Sequence, residues 1–396
     1  MFDLAIIGGG IIGLATAYLA QQQYPCWKIA IFDKEPKVAQ HQTARNSGVI
    51  HSGIYYPSGS LKAQNCLHGY QLLLPFCRQY EIPHRICGKI IVAIKPTQLG
   101  QLQTLYQRGV DNGLKGIKML TQAQILQYEP HCAGLAGIHV PQTGVVSFSE
   151  VCAKLATIIQ EKNGNIHLSA EVKLLRENAY NNCIELVTPS KTYQAKRFVN
   201  CAGLYSDTLA ATLNLNLPLR IIPFRGEYYH LKPNKTALIN NLIYPVPDPE
   251  FPFLGVHLTK HIDGSVSAGP SAVWALGREA YHWRHLNLNE TINTITWPGF
   301  RRIVKQHWRM GLTEMYRSLY KTAFTKAIQQ LVPNLQTADL LPAPSGIRAQ
   351  ACDAKGNLLS DFCLLPHRLG IHVLNAPSPA ATSCLSIAQT ILKNLN

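Results

Sequence analysis

The stretch Phe2-Asp3-Leu4-Ala5-Ile6-Ile7-Gly8-Gly9-Gly10-Ile11-Ile12-Gly13-Leu14-Ala15 places the chain in its fold class. Residues 2–7 are apolar apart from Asp3 and predict a short buried strand. Gly8 to Gly13 satisfies G-x-G-x-x-G, residues 12–22 predict a helix, and residues 28–32 predict a second apolar strand. Strand, glycine turn, helix and strand make a βαβ unit. Gly8 suits the tight turn, Gly10 lets the backbone approach a pyrophosphate, and Gly13 with Ala17 allows close helix-to-sheet packing. The helix N-terminus then faces the phosphates. Asp33 ends the second strand about twenty residues past Gly13, where an acid binds the adenosine ribose hydroxyls and disfavours a 2′-phosphate. The fingerprint itself does not choose between NAD and FAD.

The chain has 396 residues, 46% of them hydrophobic and 15% charged, with 37 Lys+Arg against 22 Asp+Glu and a formal net charge of +15. This apolar content excludes intrinsic disorder, and the length exceeds what one hydrophobic core serves. The positive excess attracts polyanions generally. No lysine or arginine run resembles a nucleic-acid arm. The densest basic pieces, Arg301-Arg302 and residues 305–309, are interleaved with Trp297, Phe300 and Trp308. They form either a solvated basic face or a patch against anionic lipid. Eleven cysteines without C-x-x-C spacing point to a reducing compartment and to no disulfide framework. Residues 4–20 are interrupted by glycines and lack a basic leader, so they are no signal peptide or membrane span. The expected location is the cytoplasm, with any membrane contact peripheral, on the cytoplasmic face of the inner membrane.

Further along, residues 85–94 predict a strand, and 98–112 and 121–128 predict helices. A helix over 148–163 with Ser149 as its cap precedes strands over 165–175 and 197–201 that return to the first sheet. Residues 219–231, 242–246 and 253–268 have the strand character of a separate, mostly antiparallel sheet, and 290–331 is a helical block. A strand over 370–374, a loop over 375–382 and a helix over 383–395 complete the chain. Two segments favour FAD: Phe198-Val199-Asn200-Cys201-Ala202-Gly203, and Ala376-Pro377-Ser378-Pro379-Ala380-Ala381-Thr382 before the last helix. Small residues there let the chain pass close to an extended cofactor, and the last helix aims its positive end at a flavin edge. The fold class is therefore α/β: a Rossmann-like FAD-binding domain with an inserted, mostly antiparallel α+β substrate domain. The expected FAD-binding domain is discontinuous, 1–84, 145–217 and 340–396; 85–144 and 218–339 form the substrate-binding domain.

The segment His41-Gln42-Thr43-Ala44-Arg45-Asn46-Ser47-Gly48-Val49-Ile50-His51-Ser52-Gly53-Ile54-Tyr55-Tyr56 narrows the choice. It joins the fingerprint, Pro223-Phe224-Arg225-Gly226-Glu227-Tyr228-Tyr229, the block 242–249, the block 253–259, Gly346-Ile347-Arg348-Ala349-Gln350 and the 375–383 loop. Together these resemble the L-2-hydroxyglutarate oxidase/dehydrogenases, members of the D-amino-acid-oxidase-like flavoproteins, in order over nearly the whole chain. The resemblance implies FAD, a small dicarboxylate substrate and oxidation of L-2-hydroxyglutarate to 2-oxoglutarate; nothing in the spacing demands covalent attachment, so the FAD is expected to be non-covalent. Electrons would leave for a respiratory quinone, another acceptor or oxygen. It also implies peripheral membrane association. The sequence departs from the family pattern at Ala44 and Arg45, where Gly and His are more usual; Arg45 instead suits an FAD pyrophosphate.

A 2-hydroxy dicarboxylate needs two anion sites and a group that takes the hydroxyl proton, for which arginine forks and a histidine are suited. Arg348 is the expected anchor for the carboxylate beside C2, and Arg225 the second clamp, with an internal ion pair to Glu227 as its alternative role. His51 and His257 compete as the base. Tyr244 and Lys260 are weaker candidates for substrate contact. The expected cofactor contacts are Gly8, Gly10, Gly13, Asp33, Lys34, Thr43, Arg45, Asn46, Ser47, Val172, Gly203, Ser378 and Pro379. No metal-ligand spacing occurs and the cysteines receive no role. Two rivals remain: an FAD amine or amino-acid oxidase of the same fold, and a basic nucleotide- or RNA-binding protein. The latter is disfavoured because no RNA-reading motif is present, so no nucleic-acid partner is expected.

Overall fold

The computed structural model describes residues 1–248 and 253–395, so Pro249 of the 242–249 block lies outside the described residues. Phe2–Ile7 sits inside an eight-stranded sheet, parallel to Thr192–Asn200 on one side and to Ile29–Phe32 on the other. Asn165–His167 and Gly370–Asn375 extend the parallel part. The hairpin Leu174–Asn178/Cys183–Val187 and the strand Cys363–His367 add antiparallel pairs. Leu4 to Ile7 and all of Ile29–Phe32 are buried. Continuous burial is what a parallel strand experiences when both faces are covered. Helices Ile11–Gln23, Phe148–Glu161 and Cys384–Lys393 share one core with these strands, and Leu61–Gln79 packs on the last of them.

The second sheet has nine strands and unites distant pieces of chain. Leu219–Leu231 pairs antiparallel with Leu340–Asp353 along nearly its whole length, with a register shift between Gly226 and Tyr228. The pairs formed by Leu242–Pro245, His257–Lys260 and Val266–Gly269 are likewise antiparallel. One parallel pair, Leu242–Pro245 with Lys89–Ala93, joins the early segment to the later one. A third, three-stranded sheet links Val49–Ile50, Gly144–Val146 and His84–Ile86.

Several local expectations need correction. Residues 340–353, expected with the first domain, belong to the second sheet, because their strand continues to pair with Leu219–Leu231; the chain rejoins the first sheet only at Cys363. The helix expected to be capped by Ser149 is capped by Ser147, whose Oγ accepts from Glu150 N at 3.3 Å. The buried Phe148 is the first helical residue, so the residue before it takes the cap position. The stretch 85–94 breaks at Gly88, at φ +79°, so that its two halves join different sheets. The stretch 253–268 is a hairpin turning at Gly264, at φ +84°. The block 290–331 holds the helices Leu288–Thr296, Pro298–Leu319 and Lys321–Gln329.

The break in 165–175 matters for the site. After Asn165–His167 the chain crosses the end of the second strand, with Ser169 N donating to Glu35 O and Ala170 N donating to Asp33 O at 2.8 Å. The next residues, Glu171 and Val172, thereby reach the main cavity.

Candidate active site

An elongated cavity of about 780 Å³ is lined by residues of both large sheets. At one end stands the glycine turn. Gly8 has φ +111°, and a Cβ there would lie 2.2 Å from Cys201 O, so a side chain is excluded by both backbone conformation and space. A Cβ on Gly13 would lie 2.0 Å from Gly8 O, which is the close turn-to-helix packing the fingerprint requires. The helix Ile11–Gln23 begins at Gly10 with no side-chain cap of its own and no acid in its first turn. Of its leading amides, Ile11 N donates to Thr43 Oγ1 at 3.1 Å. The remaining unpaired N–H groups and the positive end of the helix suit a phosphate.

The Asp33 carboxylate is fixed at this end. Its Oδ2 accepts from Gly9 N at 2.6 Å and its Oδ1 from Glu35 N at 2.8 Å, while the residue stays in the cavity wall. Lys34 forms ion pairs with Glu35 and, at 2.6 Å, with Glu279 of the other sheet's segment. Asn46 shapes the 41–48 loop: its Nδ2 donates to Thr43 O at 2.7 Å and its Oδ1 accepts from Gly48 N at 2.8 Å. Arg45 lays its guanidinium 4.1 Å from the Tyr281 ring centroid and donates to Ser345 O and Gln40 O. Gly203, at φ +58°, lines the wall with Val172, Ser47, Ser378 and Pro379. A glycine cradle, a free helix N-terminus, an acid at the strand end and a long cavity continuing to the 376–382 loop fit an extended FAD.

The other end is built by side chains. His257 donates Nδ1–H to Gly255 O at 2.9 Å, the tautomer that leaves Nε2 bare. Burial pushes the acid form of this imidazole down to about 3, so it is neutral at physiological pH. Tyr244 stacks on it with ring centroids 4.0 Å apart. His51 is likewise pushed down to about 3, by burial and then by the nearby Lys89 cation, and its Nε2 lies 3.3 Å from Ser378 Oγ. Arg348 donates from one guanidinium nitrogen to Ser271 O at 3.2 Å, and its charge is disfavoured chiefly by burial. Lys62 donates to Ser360 O at 2.9 Å and burial draws it down to about 8. The acids in the cavity wall among the described residues are Asp33 and Glu171, both at the nucleotide end.

A family model described as FAD dependent oxidoreductase, DAO, matches residues 3–391. The chain belongs to this family. L-2-hydroxyglutarate dehydrogenase of Indibacter alkaliphilus is 47% identical over 391 residues, covering 98% of each chain. The protein of that name from Escherichia coli K12 is 42% identical over 395 residues, covering 100% of this chain and 93% of its own. Among solved structures, the FAD-bound L-alpha-glycerophosphate oxidase of Mycoplasma pneumoniae superposes with a TM-score of 0.81 at 24% identity, covering 100% of this chain and 94% of its own. Glycine oxidase of Geobacillus kaustophilus gives 0.74 at 17%, again over 100% of this chain and 94% of its own. The chain is thus an FAD-dependent oxidoreductase with the fold of these flavoproteins.

In this flavoprotein, two expected substrate contacts lie away from the cavity wall, for one reason. Arg348 pairs with Phe224, and Arg225 pairs with Ile347 on the neighbouring strand. Cross-strand partners share a face and successive residues alternate, so Arg225 points opposite to Arg348. There it is 1% exposed, lies 3.2 Å from Glu227 Oε1, donates to Ala280 O at 3.2 Å and covers the Trp283 ring. Lys260 lies three residues along the strand from His257, hence on the other face, and donates to Ile239 O at 3.0 Å. Conversely, Lys62, which lies in none of the quoted blocks, and Tyr228, which lies in the 223–229 block but was given no role, line the wall. The lysine's signal is an isolated cation near the start of a helix without acids, which resembles any surface lysine.

Proposed function

We propose that this flavoprotein oxidises L-2-hydroxyglutarate to 2-oxoglutarate, the activity named for its relatives. The observation that carries this is the charge of the cavity's far end. Arg348 and Lys62 line it, two neutral imidazoles face it, and the lining acids stand at the opposite end. Such a wall suits a dianion. Arg348 has guanidinium N–H groups left for a bidentate grip on the carboxylate beside C2, and Lys62 is placed for the distal one. His257 Nε2, bare and neutral, accepts the hydroxyl proton. The flavin, when bound, supplies the two-electron acceptor that takes the C2 hydride. The buried Tyr244 ring, with half-buried Tyr228 and Phe253 beside it in the wall, limits the access of water to the site.

Anaerobic bleaching of the flavin absorbance by L-2-hydroxyglutarate, but not by its D-isomer, L-lactate, glycerol 3-phosphate or amino acids, is the expected result. Bleaching by an amino acid alone would replace this substrate with an amine; a protein that takes up no FAD would contradict the cofactor assignment.

The finer assignment of acceptor and location rests on a surface. Of the twenty-two exposed large apolar side chains among the described residues, eleven lie between Leu286 and Tyr320. They include Trp308, Leu312, Tyr316 and Leu319, alternating with exposed Arg301, Arg302, Lys305 and Arg309. The two acids of that stretch, Glu290 and Glu314, are turned inward onto Arg278 N and Ala272 N. No described helix is long and apolar enough to cross a membrane. The proposed occupant of this face is an anionic bilayer, from which a quinone would accept the electrons. Co-sedimentation with phosphatidylglycerol vesicles, weakened by salt and by Leu312→Glu, is expected. Equal sedimentation of the variant would remove this face from the contact.

A further inference from the structure

Lys89 opens the strand Lys89–Ala93, and its side chain is fully buried. Buried lysines ordinarily have a counter-ion. Among the described residues, no acid is one of the groups that set its protonation. Its ammonium instead lies 4.3 Å from the ring centroid of Tyr55 and 4.8 Å from that of Tyr244, the spacing of a cation–π contact. The register explains the placement. Ile91 pairs with Tyr244, and Lys89, two residues away, shares its face. On the other side Ile243 pairs with Leu258, which sets Tyr244 opposite His257. The Tyr55 ring, the ammonium, the Tyr244 ring and the His257 imidazole therefore follow one another as layers. The last two line the cavity, whereas Lys89 stays behind them.

We propose that Lys89 is a positioning residue for the oxidation: its ammonium clamps Tyr244 face to face on His257, and so holds the imidazole Nε2 toward the substrate. This rests on His257 as the proton acceptor. The imidazole is then held at two places, by the Gly255 carbonyl at Nδ1 and by the clamped ring on its face. The same cation opposes protonation of His51 and His257. The titratable groups facing it are Tyr55, Cys66, Tyr244 and the two histidines. Burial pushes both phenols up and the Cys66 thiol up to about 12, while both imidazoles are drawn down to about 3. Lys89, drawn by burial to about 7, is the member of this group that changes charge near neutral pH.

The test compares Lys89→Met and Lys89→Arg holoenzymes in kcat and KM for L-2-hydroxyglutarate across pH. Methionine fills a similar volume without charge, and arginine stays charged at every accessible pH. The Met variant is expected to keep its flavin and its KM, to lose about tenfold in kcat, and to move the acid limb of kcat/KM to higher pH. The Arg variant is expected to keep activity where the wild type declines as Lys89 loses its proton. A folded, flavin-loaded Met variant with the wild-type profile overturns the proposal, as does an Arg variant that behaves like Met. If the Met variant does not fold, the Arg variant decides alone, and an unshifted alkaline limb is then the negative result. A control on the base itself separates the clamp from the reading it rests on. Turnover retained by His257→Asn removes the base assignment and the proposal together, whereas turnover lost there with an unaltered Lys89→Met profile removes the clamp alone.

Discussion

The two ends of the cavity are made differently. At the nucleotide end the chain presents backbone: Gly8, Gly10 and Gly13 lie within six residues, and the leading amides of one helix face the site. At the substrate end it presents side chains that arrive separately, His51 from the first segment, Tyr244 and His257 from neighbouring strands, and Arg348 from a strand nearly a hundred residues later. Backbone recognition needs one local conformation and tolerates little change in it. Side-chain recognition needs the register of several strands, and each member can be removed without unmaking the fold. Substitutions at the two ends should therefore fail in different ways.

The heaviest loss is expected at the first end. Gly13→Val places atoms where Gly8 O already stands, and backbone cannot yield there. It should abolish flavin binding and cost on the order of 4 kcal/mol or more of stability, seen as loss of bound FAD and a lowered Tm. Wild-type flavin content would erase the contrast between the two ends. At the second end, Arg348→Ala should keep the flavin and the Tm while lowering kcat/KM by roughly 100-fold, about 2.7 kcal/mol. Arg225→Met probes the opposite face of the same sheet, one residue across. It should lower Tm by breaking the contacts with Glu227 and Ala280, yet leave KM unaltered. A raised KM would place Arg225 in the site after all.

A separate effect is one of pH. His51 and His257 take up protons near 6.5 when unfolded but only near 3 when folded. Between those values the unfolded chain binds more protons, so stability rises with pH across this window and is lost as pH falls from 6.5 toward 3. Thermal unfolding followed over that range should show the loss, and His257→Asn should flatten it. A slope unchanged by the substitution would mean that His257 is not buried in its neutral form.

What was legible beforehand follows the same division. The βαβ unit could be found in the sequence because its constraint is local: a Cβ at Gly8 or Gly13 has no room, and both glycines lie on one short turn. Thr43, Arg45, Asn46 and Ser47, among the expected cofactor contacts, lie in the cavity wall. Arg225 and Lys260 could not be sorted from Arg348 and His257 by residue type. The pleat alternation separates each pair, and the phase of a strand relative to a cavity depends on its partners. The sequence pointed to Ser149 as the cap of the helix after residue 147, whereas the fold gives that role to Ser147, with the buried Phe148 as the first helical residue.

The order of amino acids was enough to set the cofactor class, because a dinucleotide fold is recognised through backbone geometry that glycine spacing encodes within about thirty residues. It also carried the family through blocks spread in order along the chain. Strand pairing chose that Arg348 faces the cavity while Arg225 and Lys260 turn away from it. The same pairing encloses Lys89, which begins an apolar strand, between two tyrosine rings, with no acid among the described residues setting its charge. Charge and burial are properties of a place, and a place made by strands from opposite ends of the chain exists only once those strands have paired.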